Sequence, residues 1–257
     1  MELILVRHPA VAIEAGICYG QSDVPLAAPA GTFAADLARR LEHVTVLKPH
    51  RIHTSPLSRC ASVATLLADR YGLAVHEDAD LMELDYGAWE MARWDTVERT
   101  QLDAWAADLE HGRPHGGESA AMLAARAERW LEHVAGEVCA PSASILAITH
   151  AGVMRMLVSR LMGEPIAISL GRPLGYGAIC RLVRVSAEGC EAAETGPAAK
   201  AGSEVEAESE AKAAPEVKAG SGVNVVPTTK AEPDANVGPK VKAELKAGRW
   251  HLEDWNV

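Results

Sequence analysis

The chain has no basic surplus: 25 Lys and Arg stand against 35 Asp and Glu, a net charge of -10 over 257 residues. A general nucleic-acid binder needs a positive face for the phosphate backbone, so that class of partner is set aside. Long apolar runs are missing as well. No stretch approaches the roughly 20 residues that a membrane-spanning helix requires. Met1-Glu2 leads straight into an apolar run with no basic n-region or cleavage site, so no membrane partner is expected and the cytoplasm is the expected compartment. The 5 cysteines (Cys18, Cys60, Cys139, Cys180 and Cys190) form no C-x-x-C pair, which suits reduced thiols acting as small apolar residues. The histidines offer no chelating pair. His50 and His53 lie on an extended run and face opposite sides, while Gly112 and Pro114 between His111 and His115 forbid a helical pair. Neither a metal nor a cofactor is expected.

What the chain does have is three strand-to-helix junctions of one kind. Leu3-Ile4-Leu5-Val6 is a branched apolar run, read as a strand buried on both faces in a parallel sheet, and it stops at Arg7-His8. Arg51-Ile52-His53-Thr54 leads into Ser55-Pro56, expected as N-cap and first helical residue, with Arg59 on the first turn. Ile145-Leu146-Ala147-Ile148 ends at Thr149-His150-Ala151-Gly152, ahead of an apolar helix. In open α/β sheets ligands gather beyond the carboxyl ends of the strands. Two imidazoles and two guanidiniums delivered there describe an anion site, and the chemistry of a phosphomonoester fits them. His8 is the candidate nucleophile. Arg7 and Arg59 can fork onto phosphate oxygens, and His150 adds a donor. Glu83 is the candidate acid for the leaving oxygen and base for the attacking water.

These motifs resemble the histidine phosphatase, or phosphoglycerate-mutase-like, superfamily. The resemblance rests on Leu5-Val6-Arg7-His8, Thr54-Ser55-Pro56-Leu57-Ser58-Arg59, Glu83 within Glu83-Leu84-Asp85-Tyr86-Gly87-Ala88-Trp89-Glu90, and Thr149-His150-Ala151-Gly152-Val153, over residues 1 to about 185. Within it, Cys18 to Leu26, Gly116-Gly117-Glu118-Ser119 and the stretch from Trp89 to Trp105 look like the α-ribazole phosphatase branch of cobalamin biosynthesis. The resemblance implies a metal-independent phosphatase of a small phosphate ester, working through phosphohistidine. Other small-molecule phosphatases, a phosphosugar mutase and a non-catalytic phospho-ligand binder stay open. It places Tyr19 and Gln21 near the phosphate, and several members dimerise, so a homodimer is among the assemblies it allows. Two departures stand out. Pro9-Ala10-Val11 replaces the usual Gly-Glu-Thr, and Ala151 replaces a common Gly.

The expected fold class is α/β: three α/β/α layers with a mostly parallel central sheet, a helical insertion over the active site and a long disordered loop in the C-terminal region. Helices are expected over 31–44, 57–71, 119–138 and 152–162, with a loop from Ala12 to Ala30 and a short strand at Leu73-Ala74-Val75. The segment from Leu81 to Glu118, with a helix near Leu102 to Leu109, is read as the substrate cover. Trp89, Arg93, Trp94 and Arg113 are its candidates for leaving-group recognition; the alternative is that the Trp residues pack the insertion on the core. Arg126 and Arg129 are expected on a solvated face. Residues 187–247 hold 7 Lys against 10 Glu and 1 Asp with no aromatic residue, too little to offset chain ordering, so disorder is expected there. The domains are then 1–186, a low-complexity insertion at 187–247, and a strand at 248–257 returning to pair with Gly177 to Val185.

Overall fold

The computed structural model describes residues 1–137, 143–185 and 249–257. Six strands form one mixed sheet in the order β3-β2-β4-β1-β5-β6. They are β1 (Glu2–Arg7), β2 (Arg51–Thr54), β3 (Val75–Glu77), β4 (Ser144–Thr149), β5 (Ile179–Val185) and β6 (Arg249–Trp255). β3, β2, β4 and β1 run parallel to one another, whereas β5 pairs antiparallel with β1 and β6 antiparallel with β5 on the other side of the sheet. β1 and β4 are buried along their whole lengths, as the unbroken apolar runs require of inner strands covered on both faces.

Side-chain alternation along β1 divides the core in two. Ile4 and Val6 pack with Leu37 and Leu41 of α1 (Ala30–Val44) and with Val63 and Leu67 of α2 (Ser58–Tyr71). Leu3 and Leu5 pack on the opposite face with Leu123, Trp130 and Leu131 of α4 (Ala120–Glu137) and Val153 and Leu157 of α5 (Ala151–Met162). This is the three-layer α/β/α arrangement, and it leaves the carboxyl ends of β1, β2 and β4 along one edge.

Some local expectations shift. The third strand falls at Val75–Glu77 rather than at 73–75, because Gly72 takes the left-handed conformation that ends α2 and the chain needs Leu73 and Ala74 to turn back. Helix α2 begins at Ser58 with Leu57 as its N-cap, so Ser55 and Pro56 lie outside it. The insertion carries α3 (Arg99–Ala107) and three short 3-10 turns, at Ala79–Leu81, Gly87–Trp89 and Trp94–Thr96. A short α6 (Ile166–Gly171), absent from the sequence reading, follows α5. Among the described residues no helix is long and apolar enough to cross a membrane. The expected disorder of 187–247 lies outside the described residues.

Strand β5 ends at Val185 and pairs there with Arg249, the first residue of β6, so the chain leaves and re-enters the sheet at one point. We propose that the intervening residues form an insertion that the domain does not need. Loop-closure entropy grows only logarithmically, and cutting about 60 residues to about 4 removes roughly 2.4 kcal/mol of it. Replacing residues 191–246 by a short Gly-Ser turn should therefore leave the urea midpoint equal to or above that of the full chain. A lower midpoint would give the segment a structural role.

Candidate active site

Parallel register builds the site. Arg7 is paired with Thr149 across β1 and β4, so the next residue of each strand, His8 and His150, must be neighbours at about the 4.8 Å strand spacing. Their ring centroids lie 5.1 Å apart, and the His8 N–H donates to the Thr149 carbonyl. On the other side of β4 the backbone N–H of Ser55 donates to Ile148, which carries the Ser55 hydroxyl to 2.8 Å from His150 Nε2. The residue expected to cap a helix instead orients the second imidazole.

Both imidazoles are buried, and each has its tautomer set by a partner. His8 Nδ1 lies 2.8 Å from the Pro9 carbonyl, an acceptor only, so Nδ1 carries the proton and Nε2 keeps its lone pair. His150 Nδ1 accepts from Arg59 Nε at 3.4 Å, which leaves Nε2–H to donate to Ser55. Burial, then the positive charge of Arg59, pushes the His8 pKa from 6.5 down to about 3. The His150 pKa is held well below 6.5 by burial, then by His8 and Arg59. Two neutral imidazoles result, in a setting that favours incoming negative charge.

The two guanidiniums flank this pair. Arg59 is fully buried and donates to the carbonyls of Gly20 and Ser22, at 2.5 and 2.8 Å. That loop is tied down in turn by Glu90, whose carboxylate accepts from the backbone of Gly20, Gln21, Ser22 and Tyr86 and from the Ser22 hydroxyl. Burial opposes ionisation of Glu90, but the bonds from Ser22, Gly20 and Tyr86 outweigh it and hold its carboxyl below the usual range. Arg7 donates to Leu174 O at 2.6 Å and keeps its buried Nε without a partner. Tyr176 lies 4.1 Å over Arg7, Tyr19 lies 5.4 Å over Arg59, and the two hydroxyls meet at 2.8 Å. Sequence reasoning named Tyr19 but missed Tyr176. The signal was its place just before β5, which is antiparallel to β1 and therefore starts at the edge where β1 ends.

Glu83 reaches the same edge. Its carboxylate accepts from Leu84 N at 2.9 Å and from Gly152 N, in the first turn of α5, at 3.1 Å. Arg126 holds the segment from behind, donating to the carbonyls of Asp80, Met82 and Glu83 and pairing with Glu118 at 2.9 Å. This corrects the solvated-face expectation for Arg126; a helical wheel cannot foresee carbonyls offered by a distant loop, whereas Arg129 is exposed as expected. Gln21 donates to the Glu83 carbonyl at 3.2 Å, on the main chain and not at the anion centre.

A cavity adjoins Glu83 and Gly152, walled by Tyr86, Trp94, Trp105, Leu109, Leu123, Arg155 and Met156. Of the leaving-group candidates only Trp94 lines it. Trp89 is buried against Trp94, Trp105 and His115 and donates to Gln101, so it packs the insertion. Arg93 is exposed and paired with Asp95 and Glu14, and the exposed Arg113 points Nη1 at Met122 sulfur. Proximity in sequence to the Trp residues misled there, because both side chains are drawn outward by surface partners. Among the described residues no group of three or more His, Cys, Asp or Glu is placed to hold a metal ion.

Gly152 leaves room for the Glu83 carboxylate. A Cβ at this position would lie 2.1 Å from Glu83 Oε1. Because the clash is with the end of a flexible side chain, Gly152→Ala should displace the carboxylate at little cost to stability. General acid–base catalysis contributes roughly 10²–10⁴-fold, so kcat should fall by that order while the melting temperature stays within a few degrees. An unaltered kcat would remove Glu83 from the mechanism.

Comparison with known proteins agrees with this geometry. Residues 3–194 match the histidine phosphatase superfamily (branch 1). Adenosylcobalamin/alpha-ribazole phosphatase of Salmonella typhimurium is 28% identical over 171 residues, covering 65% of this chain and 82% of the relative. Glucosyl-3-phosphoglycerate phosphatase of Mycobacterium tuberculosis is 30% identical over 180 residues, covering 64% and 77%. The crystal structure of the alpha-ribazole phosphatase from Shigella flexneri superposes with a TM-score of 0.61 at 26% identity, over 71% of this chain and 90% of that one. With the family matched over most of its length and paired histidines at the strand ends, this chain belongs to the histidine phosphatase superfamily.

Proposed function

We propose that the chain is a metal-independent phosphomonoesterase acting through phosphohistidine, with α-ribazole 5′-phosphate or a similar nucleotide-like ester as substrate. The observation that carries the mechanism is the state of His8: Nδ1–H bound to the Pro9 carbonyl, Nε2 unprotonated, flanked by Arg7 and Arg59 and beside His150. Nε2 attacks phosphorus in line with the leaving oxygen, the P–O bond breaks, and Glu83 gives that oxygen its proton. Water then attacks phosphorus from the vacated side, Glu83 takes the water's proton, and the P–N bond breaks to release phosphate. Arg7 and Arg59 hold the equatorial oxygens throughout, and His150 turns its Nε2–H from Ser55 to the group as it flattens.

Two observations support the substrate. The cavity beside Glu83 is walled by Tyr86, Trp94 and Trp105, which suits a flat aromatic leaving group, and the Salmonella and Shigella relatives carry alpha-ribazole phosphatase names. A second reading, a glycerate-type leaving group, is favoured by the cation Arg155 in the same cavity and by the mycobacterial relative. A mutase on this fold would need a bisphosphorylated primer.

Purified full-length protein should hydrolyse α-ribazole 5′-phosphate without primer and at the same rate in chelator, passing through an acid-labile, base-stable phosphoenzyme. His8→Ala should abolish that species and lower kcat by more than about 10³-fold. Equal rates from the two proteins would contradict the nucleophile assignment, and loss in chelator would contradict the metal-free mechanism.

A further inference from the structure

Arg155 is a half-buried cation that forms no ion pair among the described residues. It lies on α5 three residues after Gly152, hence on the same helical face and about one turn beyond the N–H that holds Glu83. Both Glu83 and Arg155 line the aromatic cavity. The guanidinium makes one hydrogen bond, from Nη2 to the Arg172 carbonyl at 3.2 Å, and its Nε is buried without a partner. Among the described residues no carboxylate comes within salt-bridge distance of it. Burial, then repulsion from Arg7, lowers its pKa from the ordinary value. Buried donors are nearly always satisfied, and an unmatched one in a cavity calls for an acceptor that arrives with the ligand.

The phosphoryl group already has Arg7, Arg59 and His150. Arg155 shares the cavity wall with Glu83, the group that faces the leaving oxygen. Resting on the phosphomonoesterase reading above, we infer that Arg155 sets leaving-group specificity by donating to a hydrogen-bond acceptor carried a few bonds from the ester oxygen. A carboxylate, as on a glycerate, and a neutral ring nitrogen, as on a benzimidazole, share that chemistry. The surrounding Trp94, Trp105 and Met156 would exclude water from the contact and strengthen it.

Three esters of nearly equal shape separate the sources: phenyl phosphate, 3-carboxyphenyl phosphate and 3-pyridyl phosphate. For each, kcat/KM is measured with the full-length wild type, Arg155→Gln and Arg155→Lys, so that differences in intrinsic leaving-group reactivity cancel between proteins. The loss on going to Arg155→Gln should be roughly ten- to hundredfold larger for one acceptor ester than for phenyl phosphate, the range expected of a hydrogen bond from a charged donor. A larger loss on the carboxylate arm, partly restored in Arg155→Lys, identifies an acidic leaving group; a larger loss on the pyridyl arm identifies a heteroaromatic one. Equal losses on all three esters would overturn the assignment and return Arg155 to the scaffold. Product inhibition of the wild type needs no variant: 3-hydroxybenzoate or 3-hydroxypyridine should bind at least about tenfold more tightly than phenol, and equal inhibition by the three overturns the inference. Wild type that turns over none of the esters and takes no phosphoryl group on His8 would instead sink the phosphatase reading, and the role of Arg155 with it.

Discussion

Basic side chains from three strand ends are buried within reach of one another, and the rest of the structure is arranged so that they can be. Two of them, His8 and His150, give up their protons. Burial and the neighbouring guanidiniums make the charged imidazoles costly, and hydrogen bonds from Arg59 to His150 and from His8 to Pro9 fix the neutral tautomers. Arg59 is compensated by main-chain carbonyls, which hold a guanidinium without cancelling its field. A carboxylate in that place would have bridged Arg59 and repelled a phosphate. The Glu90 carboxylate is one layer out: it fixes the backbone whose carbonyls fix Arg59.

Glu83 is supported in the same indirect way. Arg126 and Glu118 form a mostly buried pair, and the guanidinium spends its remaining donors on the carbonyls of Asp80, Met82 and Glu83. Breaking one half of such a pair costs far more than the pair contributes, because it strands the other half. The position of Glu83 relative to His8 is thus set by α4, a core helix, and by the first turn of α5, whose N-cap is His150. A mobile loop alone would not hold a proton donor to the tolerance that in-line chemistry needs.

Much of this was legible in the sequence because it depends on period and order. Unbroken apolar runs identify inner parallel strands, and the carboxyl-edge rule then places Arg7, His8, Arg59 and His150 together without any long-range calculation. What escaped depends on contacts between segments far apart in the chain. Ser55 reads as an N-cap by residue type, yet the strand register gives it to His150. Tyr176 follows from the antiparallel entry of β5, which no local pattern marks. Arg126 looks like one charge among several on an Ala-rich helix, and only the fold supplies its acceptors. The tryptophans of the insertion divide by burial, Trp89 inward to the aromatic cluster and Trp94 to the cavity wall, a distinction composition does not carry. Pro9, a departure from the family pattern, still offers the one group that position must supply to His8, a backbone carbonyl.

The central claim is that two imidazoles and two guanidiniums act on a single tetrahedral group, with Nε2 of His8 as the bonding atom. A crystal structure of the full-length protein with orthovanadate tests it most directly. The account predicts vanadium bonded to His8 Nε2 in a trigonal bipyramid, with its equatorial oxygens within hydrogen-bonding distance of Arg7, Arg59 and His150 and an apical oxygen facing Glu83. Vanadate bound elsewhere, or held at this edge with His8 Nε2 turned away from the metal, would contradict it.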